Sequence, residues 1–583
     1  MNALVLALLL LAPATPAERI QSDVTRLAGD AWQGRRAGTR GADQAAEWLG
    51  KQLQRIGLSP GERGSWFQPF SFIDGVTLGA KNQLAVGERT FKAGVDFRPL
   101  AFSSPGSVAG AAVFAGYGIV AKELTWDDYE GLDAKGKIVV VLRFSPAGDD
   151  TQSKWGAFMA LRQKASLARD HGARALLLVT GPGTPKVADE LVPLRADASL
   201  SDAGLPVLSI RRAVADALFA GSGTTLADAQ IRIDHGKPEP LRLASRAELV
   251  ADVAPKRSAT RNVVGVLPGS DPAAGTIVAG AHYDHLGLGM VGSLDPAPDG
   301  KIHHGADDNA SGVAALLELA RRLKTGTPRA RSVTFVAFGA EEEGALGSSY
   351  FVKNPPVPLE RIAAMVNMDM VGRMRDDGLD VHGVGTSSAW KPLVEEADKS
   401  AGLKLRLHEG GFGPSDHNPF YVAGRPVLFV FTGVHADYHR PSDTADKINA
   451  AGIAKVVELM GAIVSGMAGN SEPVAFTRVA ADKEEQTASR GFRVWVGGIP
   501  DYSAEAPGVT LAGITPGSPA EQAGLQAGDV IVRFGGKEIR NIYDYTYALG
   551  EHQPGDTVEA VLKRAGQDVR LDITLGTRPS AAR

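Results

Sequence analysis

The chain has 583 residues, 44% of them hydrophobic and 22% charged, which is room for about two to four domains with sizeable cores. A formal net charge of −4 and the lack of a basic run exclude a surface field that would gather nucleic acid or anionic lipid, so small molecules and peptides are the better class of partner. With no cysteine, the chain excludes disulfides, thiolate ligands and a cysteine nucleophile, and a metal site has to be built from His, Asp and Glu.

Residues Met1–Ala12 form an apolar stretch too short to span a bilayer, followed by Pro13-Ala14-Thr15-Pro16-Ala17 and the charged Glu18-Arg19. The pattern is that of a signal peptide over 1–17 with cleavage near Ala17, and it implies export to a bacterial periplasm or secretion. No later segment reads as a transmembrane span. Gly34-Arg35-Arg36-Ala37-Gly38-Thr39-Arg40-Gly41 leads into Ala42–Ile56, where Ala45, Ala46, Leu49, Leu53 and Ile56 recur at helical spacing up to Gly57.

From 76 to 249 the texture changes to short β-like runs, 111–115, 137–142, 175–179 and 205–210, with a helix-like segment over 164–171. This reads as a β-rich insertion, and its acids Asp127, Asp128, Asp149 and Asp150 read as solvated loop residues. From Thr260 strand and helix alternate: strands 276–281, 332–338, 362–368 and 426–431, helices 310–323, 344–351, 388–401 and 447–467. Near-continuous apolar strands between helices predict an α/β fold with a mixed, largely parallel sheet covered on both faces. The helix at 42–56 belongs to the same domain, which therefore takes 18–75 and 250–469. A polar linker over 470–489 precedes a final small domain over 490–577.

The acidic turn Gly305-Ala306-Asp307-Asp308-Asn309-Ala310-Ser311-Gly312 runs straight into a helix, and two adjacent acids at a helix start repel unless a cation sits between them and other ligands. Alone, the pair would be an N-cap with a solvated neighbour. It is not alone. His282 closes one strand, Glu341 and Glu342 follow the next, Asp369 ends a third, and His439 follows a fourth. In a parallel sheet, ligands gather beyond the carboxyl ends of the strands, so these residues converge on a metal centre. His and carboxylate donors without thiolate suit Zn²⁺, with Mn²⁺ or Co²⁺ as substitutes. Two His and three carboxylates exceed one tetrahedral ion and suit two metals sharing a bridging carboxylate and a water; Asp307 is the expected bridge. Glu341, beside its ligand neighbour Glu342, is placed as general base. Asp284 is placed to accept the other ring N–H of His282, and Asp443 is a candidate for the same service to His439. Gly287-Leu288-Gly289-Met290-Val291-Gly292 fits a dinucleotide-binding pattern but is followed by Ser-Leu-Asp-Pro rather than a helix, which rules that reading out. His285, His303, His304, His417 and His435 are read as supporting or substrate contacts.

The motifs Ala281-His282-Tyr283-Asp284, 305–312, Ala340-Glu341-Glu342-Glu343-Gly344, Asn367-Met368-Asp369-Met370, Ser415-Asp416-His417 and His439-Arg440-Pro441-Ser442-Asp443-Thr444 resemble the co-catalytic zinc aminopeptidases of metallopeptidase family 28. The insertion is similar to a protease-associated domain, and the C-terminal region to a PDZ domain. The resemblance implies a zinc exopeptidase fold, two Zn²⁺ per chain, one held by His282, Asp307 and Asp369 and the other by Asp307, Glu342 and His439, Glu341 as general base, and a cis peptide between Asp307 and Asp308. Some members place a Tyr before Ser-Asp-His as oxyanion donor; this chain has Pro414 there, leaving Tyr438, His417 or the ions alone for that role. In the PDZ-like part, Val496, Gly497, Gly498 and Ile499 are expected to receive a peptide C-terminus, with Ile542–Leu549 walling the groove. The expected activity is removal of N-terminal residues from peptides. A carboxypeptidase or glutaminyl cyclase of the same fold, and a receptor-like peptide binder without catalysis, are the alternatives.

Overall fold

The computed structural model describes residues 14–184, 187–194, 202–289, 291–298, 300–479, 494–501, 504 and 506–577. They fall into two compact units, one made of the described residues up to 72 and from 259 to 479, the other of those from 73 to 258 and from 494 to 577.

The first unit begins with α1 (Pro16–Leu27), started by Thr15, which shares a reciprocal capping box with Glu18. Ile20, Val24 and Leu27, one turn apart, are fully buried. The expected leader lies mostly outside the described residues; its last residues, 16 and 17, form the first turn of this helix. In α2 (Arg40–Ile56) the buried stripe is Ala42, Ala45, Ala46, Leu49 and Leu53, and the helix stops at Gly57, whose φ of 89° few other residues adopt. The sheet contains β1 (Ser59–Pro60), β2 (Phe67–Leu78), β3 (Val253–Leu267), β4 (Thr276–His282), β5 (Ser332–Phe338), β6 (Ile362–Met368), β7 (Gly378–His382), β8 (Lys404–His408) and β9 (Val427–Phe431). Their order is β1-β3-β5-β4-β6-β9-β7-β8, with β2 paired to β3. The neighbours β5, β4, β6 and β9 are parallel to one another, whereas β3 and β7 join this block antiparallel.

The helices are α3 (Gly312–Lys324), α4 (Leu346–Lys353), α5 (Trp390–Ala401), α6 (His417–Val422) and α7 (Ala450–Ala468). All seven residues of β4 are buried. Ile277, Ala279 and Ala281 join the large core with residues of α1, α2, α3, α5 and α7, while Val278 joins a second core with Phe351 of α4 and Phe420 of α6. The period-2 alternation of a strand thus feeds two apolar cores, which is why β4 carries no polar face. By length and composition α7 is apolar enough to cross a membrane, a segment read from sequence only as a soluble helix; here Ile453, Val456, Leu459, Met460 and Ile463 are buried in the large core. β7 and β8 do not stand out in the sequence: β8 is an edge strand with Lys404 and Arg406 exposed, a charged edge of the kind that discourages further pairing. Of the expected linker, residues 470–479 are irregular and docked, with Val474 and Phe476 against the cores and Tyr421 Oη bonded to Val479 O; the remainder lies outside the described residues.

The second unit carries an eight-stranded sheet in the order Arg89–Phe91, Gln83–Val86, Leu241–Ala251, Gly106–Phe114, Ile138–Leu142, Ala175–Val179, Val207–Ile210, Phe97–Pro99. Asp128, read from sequence as solvated, is 1% exposed: its Oδ2 accepts from Tyr117 N at 3.1 Å and Ile119 N at 2.9 Å. Those two amides turn the carboxylate inward, where sequence alone shows only an acidic run. The fully buried Lys164 stands on the same turn, its ammonium donating to the carbonyls of Tyr117, Leu142 and Phe144. Burial pushes the lysine down to about 7 against the pull of Asp128, and pushes Asp128 up to about 7. Lys164→Met removes the donor shared by the carbonyls of Tyr117, Leu142 and Phe144; denaturant unfolding is expected to show a loss of about 1–3 kcal/mol.

The C-terminal part of the unit has its own core, including Val496, Leu511, Ile531, Phe534, Tyr545 and Leu562. Its sheet starts at strand Gly498–Pro500, which pairs antiparallel with Val509–Ile514. The helix Ile542–Gly550 buries Tyr545 and Ala548 in this core and keeps Ile542 and Leu549 half-buried. Its Asp544 accepts from Ser166 Oγ at 2.7 Å and pairs with Arg169 at 3.0 Å.

Candidate metal centre

Because β4, β5, β6 and β9 are parallel, their carboxyl ends share one edge of the sheet, and every element of the centre leaves from that edge. His282, the last residue of β4 and 1% exposed, has Nε2 3.3 Å from Asp369 Oδ1 and 3.4 Å from Asp308 Oδ1. Asp369 follows β6 and accepts Ser415 Oγ on Oδ2 at 2.7 Å. Beyond β5, Glu342 has Oε1 2.6 Å from His285 Nδ1 and Oε2 3.2 Å from His439 Nε2. Asp308 Oδ2 lies 3.3 Å from His439 Nε2 and 3.8 Å from His285 Nδ1. Two groups result, His282–Asp308–Asp369 and His285–Asp308–Glu342, each with its donor atoms within 4.8 Å of one another. Asp308 belongs to both, one oxygen facing each group.

The acid shared by the two groups is therefore Asp308, a correction of the expectation that Asp307 stands between them. Asp307 is fully buried but points elsewhere: Oδ1 accepts Gly372 N at 2.6 Å and Oδ2 lies 3.1 Å from His435 Nε2. Asp443 decides between the two acids. Its Oδ2 accepts the amides of both Asp307, at 2.8 Å, and Asp308, at 3.1 Å, which pins the turn in one orientation, and its Oδ1 is held by Arg373 at 3.0 Å. The cis peptide likewise lies one residue later than expected, between Asp308 and Asn309.

Two supporting roles also differ from expectation. The second ring nitrogen of His282 faces the backbone carbonyl of Asp284 at 3.2 Å, while the Asp284 carboxylate, 3.9 Å from that nitrogen, accepts the amides of Glu341 and Glu342 at 3.0 and 3.4 Å. Asp284 thus fixes the turn that carries the two glutamates. The Nδ1 of His439 meets Gly292 O at 2.9 Å, so Asp443 is not its partner. Among the other histidines, His303 meets Ser293 Oγ at 2.7 Å and His304 meets Asp30 at 2.9 Å. His417 is fully buried and stacks on Phe429, with ring centroids 4.5 Å apart, which removes it as an oxyanion donor. Tyr438 stacks on His439 at 3.9 Å.

Glu341 Oε2 lies 3.9 Å from His282 Nε2. Burial, with Asp416, Asp369 and Glu342 nearby, pushes its carboxyl well above the usual range against the pull of His282. Burial disfavours a charged His439, yet Asp308 and Glu342 outweigh it and hold the imidazole up at about 11. Glu342 is held at about 2 by His285 and His439 against burial and Asp308. Among the described residues, the ion pairs of Asp308, Glu341, Glu342 and Asp369 are all with histidine. A nest of buried carboxylates whose ion pairs are with imidazoles calls for cations, and the donor set, imidazole nitrogen and carboxylate oxygen around a shared Asp308, fits zinc.

Residues 262–464 match the model of peptidase family M28, and residues 447–575 that of the PDZ domain. Aminopeptidase YwaD of Bacillus subtilis is 28% identical over 344 residues, 57% of this chain and 62% of that protein. Leupeptin-inactivating enzyme 1 of Streptomyces exfoliatus is 32% identical over 192 residues, 32% of this chain and 38% of that protein. The chain thus spans between about two fifths and three fifths of these two relatives. Among solved structures, an aminopeptidase from Aneurinibacillus sp. strain AM-1 aligns with a TM-score of 0.46 and 24% identity over 80% of this chain and 96% of that one. Residues 262–464, which hold every residue of the centre described above, form a domain of peptidase family M28, and a PDZ domain follows it in the same chain.

Proposed function

We propose that the chain is an exported two-zinc metallo-exopeptidase that removes N-terminal residues from peptides. The observation that carries this reading is Asp308, shared between two histidine–carboxylate groups with Glu341 alongside. His282, Asp308 and Asp369 would hold one ion; Asp308, Glu342 and His439 the other. His439 is preferred to His285 because Gly292 O engages its Nδ1 and leaves Nε2 facing both Asp308 and Glu342, whereas His285 Nδ1 is bonded to Glu342. Bound zinc supplies an activated water and polarises the scissile carbonyl.

Glu341 takes the proton of the attacking water and passes it to the leaving amine. Tyr438 is the oxyanion donor that Pro414 cannot be: burial, then Asp308, Glu342, Glu341 and Asp369, push its phenol upward, so it stays protonated and able to donate. The exposed apolar side chains Leu288, Val291 and Leu294 stand on the loop whose Gly292 O holds His439, and exposed Val434 precedes His435. They favour substrates that present an apolar side chain. The β-rich insertion is read as a protease-associated domain, and the edge strand Gly498–Pro500, paired on one side only among the described residues, receives a peptide C-terminus by strand addition beside Val496 and Gly497.

A panel of aminoacyl anilides and N-acetylated peptides, assayed with chelator and with Zn²⁺ restored, tests the reading. Cleavage of free amino termini, abolished by chelation and regained with zinc, is expected. Release of C-terminal residues from blocked peptides would make the chain a carboxypeptidase, cyclisation of N-terminal glutamine a glutaminyl cyclase, and tight peptide binding by a metal-free, inactive protein a receptor.

A further inference from the structure

The segment Gly34-Arg35 contributes no ligand, yet it lies between the two loops that carry them. Arg35 is fully buried. Its Nε donates to Tyr283 O at 2.9 Å, Nη1 to His304 O at 2.9 Å and to Leu27 O, and Nη2 to Gly305 O at 2.9 Å. Tyr283 follows His282, and Gly305 opens the turn that leads to Asp308. The main chain repeats the pattern: Gly287 N donates to Gly34 O at 3.1 Å and His285 N to Arg35 O at 3.4 Å. A Cβ on Gly34 would lie 2.4 Å from His303 O and 2.6 Å from Gly287 O, so this close approach is open only to glycine.

We propose that Arg35 is a positioning residue for the metal centre: its guanidinium ties the loop after His282 to the turn before Asp308, and its fixed charge offsets the carboxylates gathered there. A buried guanidinium with its donors spent on carbonyls stabilises no ion pair of its own, so its charge is left to act on the surrounding acids. Those acids are Asp284, Asp308, Asp443 and Glu342, whose attraction opposes the loss of protonation that burial imposes. Lysine would keep the charge but, as a compact ammonium, not the planar fork that reaches four carbonyls at once.

The proposal rests on the zinc reading of the centre, and its test separates the two. Zinc affinity is measured by competition with a chromogenic chelator in wild type, Arg35→Lys and Arg35→Met, and melting temperature is measured for metal-free and zinc-loaded protein. Wild type is expected to take up zinc and to gain melting temperature from it; Arg35→Lys is expected to bind zinc 10–100-fold more weakly, with a smaller gain. Arg35→Met is expected to lose more, and if it does not fold, Arg35→Lys carries the test through zinc release from the loaded protein. A wild type that takes up no zinc overturns the reading of the centre. Variants with lowered melting temperatures, but with wild-type zinc affinity and an undiminished gain on loading, show a purely structural arginine and overturn the proposal.

Discussion

Glu341→Gln is expected to keep both zinc ions and to lower kcat by about three orders of magnitude, with KM little changed. The physical basis is the isolation of this carboxylate. Its Oε2 stands 3.9 Å from His282 Nε2, and its backbone is fixed by Asp284 rather than by its own side chain. Glutamine fills the same space, leaves the amide bond to Asp284 intact, and removes only the ability to take a proton. Burial and the neighbouring Asp416, Asp369 and Glu342 push the Glu341 carboxyl upward in the metal-free protein against the pull of His282, which favours its holding a proton. Metal content and steady-state kinetics on the same preparation check the result; turnover within tenfold of wild type would remove Glu341 from the base role.

Asp308→Ala is expected to reduce bound zinc from two ions per chain to at most one, whereas Asp307→Ala is expected to retain both with weaker affinity. Only Asp308 presents an oxygen to each group; Asp307 acts through Gly372 and His435. The response to zinc separates the cases further. In metal-free protein Asp308→Ala removes a carboxylate that His282, His439 and His285 hold well below its ordinary range against burial, so its melting temperature should fall, and the gain on adding zinc should largely disappear; Asp307→Ala should keep most of that gain. Equal zinc loss in the two variants would return the bridge to Asp307. In both, zinc affinity should weaken as pH falls, because protons compete for His439 and His282, whose imidazoles the carboxylates hold charged well above their ordinary range.

The α/β architecture was legible because its strands are short apolar runs separated by helical periodicity; the bounds of β5 and β6 can be read directly from residues 332–338 and 362–368. The chemical type of the centre was legible for a related reason. In a parallel block each ligand must follow its own strand, so His282, Glu342, Asp369 and His439 announce themselves one by one. β8 was not legible, because a short strand with charged residues at an exposed edge carries little apolar signal, and β7, inside the sheet beside it, offers only Leu379 and Val381 as apolar residues.

What the sequence by itself determined is the type of donor available, His and carboxylate residues following strand ends with no thiolate alternative. What only the tertiary structure decided is which of those donor atoms faces which. Between two adjacent acids in one turn, local sequence offers no preference; the choice of Asp308 comes from the Asp443 carboxylate, 135 residues away, accepting both amides. The inward turn of Asp128, the withdrawal of His417 behind Phe429 and the reach of Arg35 across two loops have the same origin. Each depends on a hydrogen bond or a packed ring between segments remote in the chain, and such closures exist only once the sheet has brought its carboxyl ends together.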